Sequence, residues 1–156
     1  MGWLDNVRNE LVGLDTTPLI YLIENNPIYA DFVTPFFDMA DEGEIKIVTS
    51  TMTLLEVLVH PIKRNDIELI QRYRQILLES EFSVIDLSRE IAEEAAHLRA
   101  VYGLRTPDAI QVATAIYSKA SFFLTNDKRL SSIKEIKVLV IDTLLEQDKL
   151  QGLDNS

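Results

Sequence analysis

The chain reads as an α/β protein, a three-layer α/β/α sandwich around a central, mostly parallel five-stranded sheet. Three observations predict this. Short apolar runs rich in β-branched and aromatic residues alternate with longer segments of helical spacing, the pattern of parallel strands joined by crossover helices. The length, 156 residues, suits one domain, and a domain of this size buries enough surface to need no covalent staple. There is no cysteine, which removes disulfide scaffolds, Cys-based zinc sites, thiol nucleophiles and iron–sulfur clusters together.

The first strand is the weakest, the ELVGL run from Glu10 to Leu14. Thr17-Pro18 then resembles an N-cap followed by proline at the first helical position, opening a helix to Glu24 with Leu19, Ile20, Leu22 and Ile23 as its apolar stripe. IKIV, Ile45 to Val48, is the second strand. The segment after it, Met52 to Val59, is apolar nearly all round, and Pro61 is expected to end its helix. Asp66 to Glu79 sets Ile67, Ile70, Tyr73, Leu77 and Leu78 on one face. FSVI, Phe82 to Ile85, gives the third strand, and an Ala-rich helix covers Glu90 to Val101. Thr106-Pro107 opens another helix to Lys119, ahead of the fourth strand, Phe122 to Thr125, and the fifth, Val138 to Ile141. The closing residues, EQDKLQGLDNS, read as a polar, frayed tail. With no linker, repeat or low-complexity tract, residues 1–156 are expected to be a single domain. Its core runs from about 10 to 142, after a short N-terminal extension.

Charge and motifs narrow the chemistry. Asp and Glu number 25 against 15 Lys and Arg, a formal charge of −10. That balance argues against gripping nucleic acid by bulk charge, although contact through a few cations stays open. The opening MGWLDNVRNELVG has no signal-peptide pattern, and no run approaches the length of a membrane helix, so a soluble, cytoplasmic protein without membrane attachment is expected. The glycines are too dispersed for a phosphate loop or dinucleotide fingerprint, and no G-x-S-x-G elbow exists. Two histidines, His60 and His97, cannot make a multi-His metal site. What remains is oxygen chemistry, and hard oxygen ligands suit Mg²⁺ or Mn²⁺.

In parallel α/β folds ligands collect beyond the carboxyl ends of the strands. Asp15, the stretch Thr49 to Glu56, Asp86, Asn126 with Asp127, and Asp142 all fall there. Asp86 before Ser88, and Asp142 before Thr143-x-x-Glu146, are explained more cheaply by local capping.

Four blocks, LDTTPLIYLIE, TLLEVL, LRTPDAIQVATA and FLTNDKRL, together resemble the PIN-domain nucleases, particularly the VapC-like toxins of toxin–antitoxin pairs, from about residue 10 to 142. The TPDAI and LTND blocks are the most specific. The resemblance implies a Mg²⁺- or Mn²⁺-dependent endoribonuclease acting on single-stranded RNA, with one or two ions per site held by Asp15, Glu56, Asp108 and Asp127. It also implies a homodimer and a cognate antitoxin. Physical chemistry supports the quartet separately: clustered carboxylates repel one another, so together they make a strong cation trap. Thr16, Thr17, Thr125 and Asn126 could brace the ligands, and Arg105, Lys128 and Arg129 could hold phosphates. RNA approach would rest on these basic groups together with Arg64, Arg72 and Arg74.

Each carboxylate also has a structural reading. Asp108 suits a first helical turn, Thr53-x-x-Glu56 has capping-box spacing, Asp127 follows Asn126 in a turn, and Asp15 could assist a cap. Two further functions therefore stay open: a PIN-fold binding module with little or no activity, and an RNA-processing nuclease with no toxin role.

Overall fold

A computed structural model describes residues 2–154. Five strands form one sheet: β1 (Leu11–Leu14), β2 (Lys46–Ser50), β3 (Ser83–Ile85), β4 (Phe122–Thr125) and β5 (Lys137–Val140), in the order β3-β2-β1-β4-β5. Every neighbouring pair is parallel. Gly13 on the central strand lies opposite Val48 on one side and Phe123 on the other. The chain winds outward from β1 through β2 to β3, then returns to the far side for β4 and β5. The order therefore reverses between β1 and β4, where the strand ends leave a crevice.

The helices are α1 (Trp3–Val7), α2 (Thr16–Ile23), α3 (Ala30–Asp41), α4 (Thr51–Arg64), α5 (Ile67–Leu78), α6 (Arg89–Tyr102), α7 (Thr106–Tyr117) and α8 (Ile141–Asp154), with a 3₁₀ turn at Lys128–Ser132. They make an α/β/α sandwich with two apolar cores, because alternate strand residues point to opposite faces. Val12, Leu14 and Leu124 join the core beneath α2 to α5, and Phe123 joins the core beneath α6 and α7. Gly13 faces α7. A Cβ there would sit 2.5 Å from the Ala115 Cβ and 3.0 Å from the Phe123 ring. The missing side chain lets α7 lie directly on the central strand, which fixes where the first turn of that helix delivers Asp108.

Helix boundaries differ from expectation in informative ways. α2 starts at Thr16 with Asp15 as N-cap, and α7 starts at Thr106 with Arg105 in the cap position, so both prolines lie within the first turn and not at its first residue. The N-cap of α4 is Ser50, whose hydroxyl accepts from the Met52 amide at 3.1 Å. Thr53 is therefore inside the helix, and Thr53-x-x-Glu56 is not a capping box. Pro61 does not end α4 either. The helix continues to Arg64 and closes on Asn65 in the left-handed region at φ 56°. A proline in the last turn removes one donor, and here the ring is buried.

Three helices were not expected. Pro35 interrupts the helical pattern of α3, which forms nonetheless. The opening residues form α1: Val7 is fully buried, and Trp3 stacks on Phe32 and Phe36 with centroids 5.8 and 5.7 Å away. The stretch read as a frayed tail continues as α8. Among the described residues no helix is long and apolar enough to cross a membrane.

Candidate active site

Asp15 stands at the mouth of the crevice, directly after β1. Its backbone amide donates to the Leu124 carbonyl at 3.0 Å, which continues the sheet ladder one residue beyond the strand. One carboxylate oxygen caps α2 by accepting from the Thr16 amide at 2.8 Å, and the other accepts from the Thr125 hydroxyl at 2.7 Å. The same hydroxyl accepts from the Asp127 amide at 3.0 Å, so Thr125 links the two aspartates. Burial pushes the Asp15 carboxyl up to about 6, and the neighbouring charges of Asp108 and Glu56 push the same way against the two hydrogen bonds.

Glu56 projects from the second turn of α4 and accepts from the Thr16 hydroxyl at 2.7 Å. Behind it lies a buried polar network that the sequence reading missed. The Gln111 amide nitrogen reaches the hydroxyls of Thr16 at 3.0 Å and Thr53 at 2.7 Å, while its oxygen accepts from Ser50 at 2.8 Å. Thr53 contacts Thr49 at 2.8 Å, and Thr49 donates to the Leu14 carbonyl at 2.8 Å. Thr16, Thr49, Ser50, Thr53 and Gln111 are all buried. No buried side-chain polar atom among the described residues lacks a partner. The available signal was a polar residue inside the apolar AIQVATA run, one helical turn after Asp108.

Asp108 and Asp127 are held differently. Asp108 lies in the first turn of α7, and the Arg105 Nε donates to it at 3.2 Å. Asp127 caps the 3₁₀ turn by accepting from the Arg129 amide at 3.0 Å, and the guanidinium of the same arginine reaches both carboxylate oxygens, Nη2 at 2.5 Å. Arg129 holds the Asp127 carboxyl below the usual carboxylate range. A cleft of about 110 Å³ between the two pairs is lined by Arg105, Asp108 and Arg129. Both arginines read as phosphate ligands thus engage the site's own carboxylates, whereas Lys128 is exposed beside them.

Of the residues expected to brace the site, Thr16 hydrogen-bonds Asp15 and Glu56, and Thr125 hydrogen-bonds Asp15. Thr17 is in the first turn of α2, outside the hydrogen-bond network. Asn126 turns away from the carboxylates: its amide donates to the Tyr21 hydroxyl at 3.0 Å, and its oxygen accepts from the Asp142 amide at 2.8 Å. Asp142 is engaged in turn by the Tyr29 hydroxyl at 2.6 Å. Ser88 caps α6, consistent with the capping reading next to Asp86. His60 is exposed on α4, and His97 lies on α6.

The donor set fits a hard divalent cation. It consists of carboxylates with hydroxyl neighbours, and the Asp15 carboxyl, raised chiefly by burial, is also pushed up by the charges of Asp108 and Glu56. In the conformation described, Asp108 and Asp127 face arginines. Among the described residues no group of three or more acidic or histidine side chains is gathered to hold an ion.

Comparisons with known proteins agree with the fold. The family model for the PIN domain matches residues 12–136. No curated protein shows a significant sequence match. Among solved structures, a toxin–antitoxin complex from Klebsiella pneumoniae is similar at 30% identity and TM-score 0.62, over 85% of this chain and 97% of that chain. VapBC2 from Rickettsia felis, bound to a DNA fragment from its promoter, is similar in fold at TM-score 0.66 and 20% identity, over 83% of this chain and 98% of that one. The sarcin–ricin-loop-cleaving toxin VapC20 of Mycobacterium tuberculosis is similar in fold at TM-score 0.65 and 14% identity, over 81% and 98%.

Proposed function

The chain belongs to the PIN-domain family, and from that premise we propose that it is a Mg²⁺- or Mn²⁺-dependent endoribonuclease that hydrolyses phosphodiester bonds of single-stranded RNA, as the toxin of a toxin–antitoxin pair. The observation that carries this reading is Asp15. It is a partly buried carboxylate at the topological switch point, with its carboxyl raised by burial and by the charges of Asp108 and Glu56. A purely structural N-cap gains nothing from being pushed toward protonation, whereas a cation ligand held in wait has this signature.

In this reading Asp15, Asp108, Asp127 and Glu56 hold the ion or ions. A bound divalent cation supplies charge neutralisation at the phosphate and activation of water. The chain's own residues do the rest. Thr16 and Thr125 fix the two oxygens of Asp15 through an amide and a hydroxyl, so the carboxylate cannot swing away. Glu56, oriented by Thr16, takes the proton of the attacking water. Arg105 and Arg129, released from Asp108 and Asp127, bind phosphate oxygens on either side of the scissile bond, and Lys128 adds charge beside them.

Two supports favour protein partners. Leu55, Val59 and Ile62 form an exposed apolar stripe along one face of α4, with spacing that suits a partner helix. The similar structures include toxin–antitoxin complexes. We therefore include an antitoxin and a homodimer in the proposal, with light scattering as the check on the dimer. The decisive experiment is cleavage of a fluorescent single-stranded RNA with and without Mn²⁺. Cleavage abolished by chelation supports the reading. Absence of both cleavage and Mn²⁺ binding would identify a PIN-fold binding module instead.

A further inference from the structure

We propose that Gln111 is a positioning residue of this site: acting through Thr16, it locks the Glu56 carboxylate in place and so sets the affinity for a divalent cation. The inference rests on the nuclease reading only in taking Glu56 as a cation ligand. It follows from counting protons. A hydroxyl has one proton to give and two lone pairs, a carboxamide nitrogen has two protons, and a carbonyl or carboxylate oxygen only accepts.

The count starts at Thr49, whose proton goes to the Leu14 carbonyl, 2.8 Å away. Thr49 can then only accept from Thr53, which fixes the Thr53 proton on that 2.8 Å contact. Thr53 must in turn accept from the Gln111 nitrogen at 2.7 Å. The second amide proton of Gln111 goes to Thr16 at 3.0 Å, and the Thr16 proton goes to Glu56 at 2.7 Å. Ser50 donates to the Gln111 oxygen at 2.8 Å and holds the amide in this orientation.

The reverse amide orientation fails. It would require Thr16 to donate its single proton both to Gln111 and to Glu56, and Thr53 to donate both to Gln111 and to Thr49. Only one amide orientation therefore satisfies every group, and in it the Thr16 hydroxyl gives its proton to Glu56 at 2.7 Å, the shorter contact, in preference to Thr53 at 3.2 Å. The Gln111 nitrogen donates to both hydroxyls and so orients them; without it both can rotate, the 3.2 Å contact with Thr53 competes for the Thr16 proton, and Glu56 loses its fixed partner. All the residues of this circuit behind Glu56 are buried, so water does not readily replace a lost member.

The test is Mn²⁺ calorimetry on the full chain as a double-mutant cycle. Gln111→Met keeps the volume and removes the donors, and Thr16→Val removes the relay hydroxyl. Each is expected to weaken Mn²⁺ binding about tenfold, the magnitude typical of groups that orient a metal ligand. The double variant is expected to be no weaker than the worse single, and Thr16→Ser to keep wild-type affinity. A folded Gln111→Met chain that binds Mn²⁺ within about twofold of wild type overturns the proposal, as do additive losses in the double variant. Should the Met variant fail to fold, Ser50→Ala frees the Gln111 amide to turn and carries the same test, and wild-type affinity there is equally fatal. A wild-type chain that binds no Mn²⁺ removes the nuclease reading and this inference with it. A wild type that binds beside variants that bind equally well removes only the role of Gln111.

Discussion

The two halves of the candidate site are held by different chemistry. Asp15 and Glu56 are fixed by neutral donors, an amide and threonine hydroxyls, with a buried network behind them. Asp108 and Asp127 are held by arginine side chains that are 68% and 66% exposed. Neutral donors orient a carboxylate and leave its charge uncancelled. Arginines cancel the charge and, being long and solvated, let go at little cost. In the proposed reading, one half offers uncancelled carboxylates to a cation, while the other would exchange a guanidinium for it.

The comparison breaks most visibly at Asp15. Asp15→Asn removes the uncancelled charge at the centre of the fixed half. RNA cleavage is expected to fall by at least about 100-fold, as for loss of a group that serves only the transition state and its cation. The metal-free chain should at the same time become more stable at pH 7. A cleavage assay paired with denaturant unfolding checks both signs. An active, unaltered variant would remove Asp15 from the site.

The pH dependence follows from the same group. The folded-state carboxyl titrates at about 6, against 3.8 for an unperturbed one. Between those values the folded chain keeps a proton that the unfolded chain has released. Stability of the metal-free protein should therefore fall as pH rises from about 4 to 6, by at most about 3 kcal/mol from this group, since one pKa unit is worth about 1.4 kcal/mol. Urea midpoints across that range should show the decline in wild type and a flatter profile in Asp15→Asn, and excess Mn²⁺ should restore stability at the high end. Asp127 has the opposite sign. Its lowered carboxyl contributes stability at neutral pH that is lost as pH falls through the acidic range.

Much of this layout was legible in the chain and part of it was not. The strands could be read because parallel, doubly covered strands are short apolar runs, and Asp15 and Asp127 because they lie one and two residues beyond such runs. α3 was hidden by Pro35, and α8 by its polar composition after Leu144. The network of Gln111, Ser50, Thr49 and Thr53 was illegible for a different reason. Each residue alone looks like a cap or a surface group, and only packing α7 against Gly13 and α4 brings them together. The Arg105–Asp108 pair has i,i+3 spacing and could have been read, whereas the Arg129–Asp127 pair depends on a rotamer within a turn.

Within the fixed half, Thr53→Val tests the network's structural share. The substitution keeps the shape and leaves the Gln111 nitrogen short of one acceptor, so a loss of about 1–3 kcal/mol is expected, the cost of stranding a buried polar group. Thermal or urea unfolding reads it directly. A change below the measurement error would mean that the network is not satisfied as described.

Arg129→Gln has the smallest expected effect on stability and separates the halves most sharply. Its ion pair with Asp127 lies at the surface, where such contacts are worth about 0–1 kcal/mol, so unfolding should barely change. Removing the guanidinium also removes the group that competes with a cation for Asp127. Divalent affinity should therefore rise, the reverse of the loss expected for Gln111→Met. In the proposed reading RNA binding should weaken, because there the arginine released by the cation would meet phosphate. Its loss removes one backbone contact, and the log–log salt dependence of binding should become shallower by about 0.7, the value for one phosphate on a single strand. If Arg129→Gln instead weakens divalent binding, the guanidinium is a brace and not a competitor, and the two halves are held for the same purpose.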